Sequence, residues 1–285
     1  MSTVGSTVLR RQLGRRLRRL REQAGKTERD VEATRLVSRT KLWRIESGRA
    51  AVKVGDVRGL CWLYGADPRT TDLMSNLALG TGEQGWWESY ADVVPAWFNL
   101  YVGLEATAAT IRIYDPELVH GLFQTPDYTR AILATAQQPG VPGGIEQMVS
   151  LRTQRQDSFF SRTPAPRVVA VFSEAVLARQ VGGAAVTCAQ LKRLHELSTS
   201  DCGISVRVLE FSTGAHAAML GAFTVMEFTD ANDPTVVYLE SQTGARYLER
   251  PEEIDEYQRI FQHVHDRATP IERYGHEQQR LAQVQ

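Results

Sequence analysis

The sequence predicts two domains of different class: an all-α domain of five short helices, then a mixed α/β domain with a sheet of about four to five strands. The 285 residues, 42% of them hydrophobic, suffice for two cores. Residues 1–65 hold 16 of the 33 basic side chains but only 6 of the 33 acidic ones, so they carry +10 and the remainder carries −10. Along the chain, the apolar spacing changes from helical to strand-like. The charge split indicates a polyanionic partner for the N-terminal part.

Several classes of protein are disfavoured by composition. The three cysteines are far apart and form no C-x-x-C pair, which argues against zinc or redox chemistry. No apolar run is long enough for a membrane span, and the N-terminus lacks the apolar stretch of a secretory signal. We therefore expect a soluble, cytoplasmic protein without a metal site, cofactor or membrane contact.

The first two helices are predicted from spacing and capping. Leu13, Leu17, Leu20 and Ala24 recur at intervals of four, three and four, which places them on one face of a helix. In the following "TERD", Thr27 is placed to cap a second helix, and the carboxylate three residues later can bond back to the cap.

The third predicted helix has two different faces. Ser38 is placed to cap it and Gly48 to end it. Leu42 and Ile45, three residues apart, should face the core. The opposite side and its N-terminal flank then carry Arg39, Thr40, Lys41, Trp43, Arg44 and Ser47. Such a helix can pack on one face and meet a partner on the other.

Two more helices complete the first domain. The stretch 54–65 has helical apolar spacing, and residues 67–79 form a helix with Asp67 as cap and Leu73 and Leu77 directed inward. The glycine-rich residues 80–85 are predicted to be a linker, so the domains span residues 1–79 and 86–285.

The stretch "AGKTERDVEATRLVSRTKLWRIESGR" resembles the Cro and phage-repressor (XRE) type of helix-turn-helix domain, and the resemblance covers about residues 9–79. It implies that the third helix enters the major groove of double-stranded DNA. The base contacts that it implies are Arg39, Thr40 and Arg44. Phosphate or sugar contacts fall on Lys41, Trp43, Arg49 and Lys53, and Thr27 is also placed at DNA. The positions that hold the domain together are Arg21 paired with Glu46, and Leu42, Ile45 and Gly48.

The chain departs from this family pattern at three positions. Family members usually carry Gln after the threonine that begins the second helix, where it helps to hold a phosphate, whereas Glu28 would repel one. They also usually have a small residue after the position of Val31 and a Gly in the turn, where this chain has Glu32 and Leu36. These differences affect the angle between the two helices.

An aromatic segment begins the second domain. Trp86, Trp87, Tyr90, Trp97 and Tyr101 fall within 16 residues that Pro95 divides into two helical pieces. Packing in the core or between domains is favoured, while a ligand pocket and a partner surface stay open. Predicted strands follow at about residues 110–119, 167–177, 204–211, 222–228 and 235–240, and predicted helices at about 125–136, 145–162, 187–200 and 250–268.

Phrases such as "YDPELVHGLFQTPDYTRAIL" and "STGAHAAMLGAFTVMEF" resemble a domain common in actinobacterial regulators of this architecture. The resemblance covers about residues 83–275. It implies a regulator that is often encoded beside a small partner protein, in antitoxin-like pairs.

Catalytic motifs are lacking, and the chain is not expected to be an enzyme. Glu174, His216, Glu227 and Glu240 lie near predicted strand ends, but their spacing matches no known catalytic pattern. His216, in a loop of small residues, is the best single candidate for a ligand or partner contact.

The function predicted is a homodimeric, sequence-specific transcriptional repressor or other regulator that binds a palindromic operator. Its second domain would sense a small-molecule effector or a partner protein. The alternative is an antitoxin-like module that sequesters a small partner encoded by an adjacent gene and autoregulates its operon. A DNA-tethered enzyme is a remote alternative.

Overall fold

The computed structural model describes residues 6–80, 96–135, 144–200, 202–229 and 234–274. These residues divide into two compact units, the first formed by residues 6–80 and 98–107 and the second by residues 96–97 and 108–274 with the gaps just given. Within the described part of the chain, no helix has both the length and the apolar character that a membrane crossing requires. The predicted linker lies outside it except for Gly80, so the predicted domain borders stay a prediction.

The first unit is helical. Its helices are α1 (Ser6–Gln23), α2 (Glu28–Ala33), α3 (Arg39–Glu46), α4 (Val54–Leu63), α5 (Pro68–Gly80) and most of α6 (Ala96–Glu105). The start of α2 is a complete capping box, since Thr27 and Asp30 bond to each other's backbone N–H groups. Ser38 caps α3, and Asp67 accepts a hydrogen bond from the Thr70 N–H at the start of α5. The local signals in the sequence therefore place these helix starts correctly.

Helices α1, α3, α4 and α5 enclose the core of this unit. Its buried side chains are Leu13, Leu17, Val31, Val37, Leu42, Ile45, Val52, Val57, Leu60, Cys61, Tyr64, Met74 and Ala78. The inward direction predicted for Leu73 is wrong, because this side chain is 51% exposed. Met74 and Ala78 face the core instead, and Leu73 lies one residue, or 100°, away from Met74 around the helix.

The second unit is a mixed α/β structure. Its strands are β1 (Thr110–Asp115), β2 (Arg167–Ser173), β3 (Ile204–Leu209), β4 (Phe223–Glu227), β5 (Val236–Ser241), β6 (Gly244–Leu248) and β7 (Thr269–Pro270). Its helices are α7 (Pro126–Thr135), α8 (Gly144–Phe160), α9 (Glu174–Ala178), α10 (Ala184–Thr199) and α11 (Pro251–Arg267).

The described strands form one sheet of seven, in the order β6-β5-β4-β1-β2-β3-β7. The prediction of four to five strands was therefore too low. Strands β1, β2 and β3 are parallel, and the remaining pairs are antiparallel. The two unpredicted strands are at the edges. β6 follows a two-residue turn, Gln242-Thr243, which lacks the glycine or asparagine typical of hairpins, and β7 is only two residues long.

The stretch 167–177, predicted as one strand, is a strand followed by a helix. β2 ends at Ser173, whose hydroxyl accepts a hydrogen bond from the Ala175 N–H and so caps α9. Apolar residues continue through both elements, and that continuity conceals the change of direction. The other predicted strands and helices match described elements, with ends that differ by a few residues.

The sheet buries both of its faces. Val169 and Val171 of β2 and Phe223 and Val225 of β4 belong to the cluster that packs against α11. The alternate β2 residues, including Val168 and Ala170, are also fully buried. Helix α10 contacts β3, and α7 packs against both α8 and α10. Burial on both faces explains the nearly continuous apolar sequence of the central parallel strands.

Candidate nucleic-acid interface

Helix α3 is held from behind by α1. Its Leu42 and Ile45 side chains have no exposed surface. Gly14 of α1 lies so close that a Cβ there would stand 2.2 Å from the Ile45 carbonyl oxygen. A residue with a side chain would push the two helices apart, so this glycine sets their distance.

A nearly buried ion pair joins the same two helices. The Arg21 Nε and Nη2 atoms donate to the two Glu46 carboxylate oxygens at 2.7 and 2.8 Å, and Arg21 Nη1 donates to the Lys26 carbonyl oxygen at 2.9 Å. The side chains are only 10% and 7% exposed. A bidentate pair of this kind fixes orientation as well as distance, so α3 is held rigidly against α1.

The end of α3 is a Schellman motif. Gly48 has φ +70°, and the Gly48 and Arg49 N–H groups donate to the Ile45 and Arg44 carbonyl oxygens. A Cβ at position 48 would lie 2.5 Å from Arg11 Cγ. The position therefore requires glycine for both its conformation and its packing.

The opposite face of α3 is open to solvent. The side chains of Arg39, Thr40, Lys41, Trp43 and Arg44 are all exposed. Those of Arg49 and Lys53, which follow the helix, are exposed as well. The residues predicted to contact DNA at and after α3 are thus all accessible. Thr27 is exposed as well, but it bonds to Asp30 in the α2 cap.

Acidic residues engage the N-terminal part of this surface. Arg39 Nε donates to Glu28 Oε2 at 2.9 Å, and the Arg39 backbone N–H donates to Glu32 Oε1 at 3.2 Å. Lys41 Nζ donates to Asp56 Oδ2 of α4 at 2.7 Å. The first two acids are departures from the repressor pattern, and both bind the first residue of α3.

The C-terminal part of the surface has a different chemistry. The Arg49 guanidinium lies over the Trp43 ring, 4.8 Å from its centroid, while 47% of the Trp43 side chain stays exposed. Arg44 takes part in no ion pair with the residues that the structure describes. This end of α3 therefore carries cations that no acid neutralises within the described chain.

The turn between α2 and α3 has an unusual backbone. Arg35 has φ +59°, a left-handed conformation that a residue with a Cβ rarely adopts. Leu36 occupies the turn position where family members usually have Gly, and its side chain packs toward Gly59 of α4. The residue under conformational strain is thus the one before it.

The candidate contacts predicted for the second domain are only partly described. Trp86, Trp87 and Tyr90 lie outside the described residues, and the Trp97 side chain is likewise not described. Tyr101, in the first unit, is 2% exposed and stacks with Phe98 at a centroid distance of 5.3 Å. Its burial agrees with the packing role that was favoured for this segment.

His216 lies in the loop between β3 and β4. Its ring meets the edge of Tyr114 at a centroid distance of 5.8 Å, and its Nδ1 atom is buried without a hydrogen-bond partner among the described residues. Burial, followed by the charges of His263 and Arg267, lowers the pKa of His216. Burial and these two neighbours therefore favour the uncharged ring.

Of the carboxylates named with His216, Glu227 lies apart. It pairs with Arg112 and lies opposite the first residue of β1, whereas Glu174 and Glu240 lie at the other end of the strands. Glu174 accepts hydrogen bonds from the Phe211 N–H and the Tyr274 hydroxyl, and Glu240 accepts one from the Tyr238 hydroxyl. Each carboxylate thus has its own structural partner.

A polar cluster after β1 was not predicted. Arg152 of α8 donates to the Gln124 side-chain oxygen and lies beside Arg155 next to Gly121, where a Cβ would stand 3.1 Å from Arg155 Nη1. Burial, then the charge of Arg155, lowers the pKa of Arg152 to about 10. Burial and both arginines hold the pKa of His120 well below its usual value. Two arginines at a spacing of three on a helix with buried apolar positions are the signal that sequence reading missed.

Comparison with known protein families agrees with this division of the chain. A model described as a helix-turn-helix domain matches residues 12–74, which include α2 to α4 and parts of α1 and α5. A model described as a domain of unknown function (DUF5753) matches residues 98–273, more than half of the chain. The chain belongs to the DUF5753 family. No curated protein and no solved structure matches it.

In this DUF5753 protein, the two matched regions carry different information. The helix-turn-helix match indicates a DNA-binding regulator and agrees with the exposed basic face of α3. The DUF5753 match covers the sheet and its helices without assigning them a function.

Proposed function

We propose that the protein is a sequence-specific transcriptional regulator of the Cro/repressor (XRE) type that inserts α3 into the major groove. The observation that carries this proposal is an exposed basic helix face whose back is fixed to α1 by the Arg21–Glu46 pair and by Gly14. A rigidly held helix is what base recognition requires, because each base contact needs a defined position.

The contacts divide into two kinds. Arg39, Thr40 and Arg44 point from α3 and are proposed to contact base edges. Lys41, Trp43, Arg49 and Lys53 are proposed to contact phosphate and sugar. Stacking of Arg49 on Trp43 supports the second group, since a planar pair at the end of the helix can lie along a sugar-phosphate strand. Phosphate contacts fix the register and make affinity depend on salt.

The division predicts different results at Arg44 and Arg49. Arg44→Ala should weaken operator binding by about 1 to 3 kcal/mol and relax the preference at one base pair, because an arginine–guanine pair is lost. Arg49→Ala should weaken all sequences alike and lower the slope of log K against log salt by about 1. Fluorescence anisotropy with duplexes selected from a random pool measures both. Identical behaviour of the two variants would refute the division.

For the second unit we propose a regulatory role, without catalysis, in a cytoplasmic regulator. It would bind a small-molecule effector or a partner protein, as in the actinobacterial regulators that the sequence resembles. Phe211, Met219 and Leu220 support a partner, since these large apolar side chains are 63%, 67% and 102% exposed. The polar cluster around Arg152 supports a small effector, since perturbed ionisable groups gather at binding sites.

Three experiments separate these possibilities. Co-purification with the product of an adjacent gene, lost on replacing Met219 and Leu220 by Ser, would favour the partner and the antitoxin-like alternative. Release of DNA from the pure protein by a small molecule would favour the effector. Turnover of a substrate abolished by replacing His216 would contradict the absence of catalysis.

A further inference from the structure

Glu28 is one of two acidic residues of α2 that bind Arg39, the first residue of α3. In a DNA interface, an exposed carboxylate repels phosphate and lowers affinity for every sequence alike. Here, however, Glu28 is only 33% exposed, and its Oε2 atom accepts a hydrogen bond from Arg39 Nε at 2.9 Å. Its effect on binding therefore depends on what it does to Arg39.

The guanidinium of Arg39 is oriented by that bond. Arginine has five N–H donors in a planar fork, and the bond to Glu28 uses the one on Nε. Neither Nη atom donates to another group in the described part of the chain. The end of the fork therefore stays available, and two parallel donors match the O6 and N7 acceptors of guanine.

The start of the helix is fixed as well. Glu32 accepts the Arg39 backbone N–H at 3.2 Å, so both ends of this residue are bound by α2. The Ser38 hydroxyl accepts a hydrogen bond from the Lys41 N–H and so caps the helix. A long side chain at the first position of an exposed helix otherwise samples many rotamers, and holding it reduces the entropy lost on binding.

We propose that Glu28 determines specificity as a positioning residue: its carboxylate holds Arg39 so that the two Nη groups face a guanine in the major groove. The inference rests on the proposed function. Glu28 thus lowers the general attraction to DNA but increases discrimination at one base pair. This role differs from that of the glutamine usual at this position in the family, which binds a phosphate.

The test determines base preferences of the full chain and its variants by selection from a pool of random double-stranded DNA. Arg39→Ala first identifies the base pair that depends on Arg39. Glu28→Ala should reduce the preference for guanine at that base pair about 5- to 10-fold and raise affinity for unselected DNA. Glu28→Gln should keep most of the preference, because its amide oxygen still accepts the Arg39 Nε–H.

Asp56→Ala is the matched control, since it removes a carboxylate from Lys41, another cation of α3, with the same change of charge. Asp56→Ala should alter the affinity for DNA but leave the base preference unchanged at every base pair. The same result for Glu28→Ala would overturn the inference, because Glu28 would then act only by repelling DNA phosphates. Loss of preference at a base pair that Arg39→Ala does not affect would also overturn it, since Glu28 would then contact a base itself. If the wild-type protein enriched no sequence, the proposed function would fail as well.

Discussion

Asp115 ends the central strand β1, and its ionisation is strongly perturbed. Burial, and next the charge of Glu240, raise its pKa from 3.8 to about 7. Asp115 keeps part of its surface exposed to solvent. Water therefore reduces the energetic effect of the pKa shift. A carboxylate at this place is costly to ionise, and its charge state changes close to neutral pH.

This shift predicts a pH-dependent effect of Asp115→Asn. A folded-state pKa above the unfolded value stabilises the protein at low pH, and this contribution is lost as pH rises from about 4 through 7. The uncharged Asn variant should therefore match the wild type at pH 4 and exceed its free energy of unfolding at pH 8 by about 1 to 2 kcal/mol.

Thermal unfolding at both pH values measures this difference. The same substitution at the exposed Asp157 serves as control and should not become more favourable at pH 8. An equal change for Asp115→Asn at the two pH values would show that its ionisation does not affect folding.

At the scale of elements, the α2–α3 turn contains a strain that a single substitution can remove. Arg35 has φ +59°, where a Cβ costs about 1 to 2 kcal/mol that glycine avoids. Glycine also makes the unfolded chain more flexible, which offsets part of the gain. Arg35→Gly should therefore stabilise the first unit by about 0.5 to 1 kcal/mol.

Hydrogen exchange in peptides from α1 and α3 measures this stabilisation. Arg35→Ala provides the control, because it removes the same charge but keeps the Cβ, and it should give no gain. Equal protection in the two variants would assign the effect to charge and not to backbone strain. Base preferences should not change in either, since Arg35 is not among the predicted contacts.

The elements also show which features a sequence can predict. Caps at Thr27, Ser38 and Asp67 and the glycine at position 48 act within a few residues of the chain, so their patterns located the helices. The edge strand β6 was not predicted because the turn before it lacks the glycine or asparagine typical of hairpins. The cap at Ser173 was not predicted because apolar residues continue on both sides of it. Leu73 was misplaced because the inward face of α5 is set by its neighbours and not by its own spacing.

Long-range contacts of the candidate site were predictable only where a family pattern supplied them. The Arg21–Glu46 pair was expected from the resemblance. The pairs Arg39–Glu28 and Lys41–Asp56 join residues 11 and 15 positions apart, and no periodicity connects them. They depend on how α2 and α4 pack beside α3, which one sequence does not reveal.

At the scale of the whole molecule, the excess of basic side chains is concentrated in the N-terminal part of the sequence. Residues 1–65 carry +10 and the remainder −10, although the chain has a net charge of zero. The positive net charge of residues 1–65 favours their attraction to DNA, whereas the negative net charge of the remainder disfavours it. We therefore expect specificity to depend on how many α3 helices bind at once.

One α3 helix contacts only a few base pairs, so we propose that the protein binds its operator as a homodimer, with the interface in the second domain. Two-fold symmetry then places half-sites about 34 to 36 Å apart, one turn of DNA. Light scattering should give twice the chain mass of 31.9 kDa. Inserting about five base pairs between half-sites should abolish tight binding, because the second half-site then lies on the opposite face of the DNA and farther away. A monomer with undiminished operator affinity would contradict the proposal.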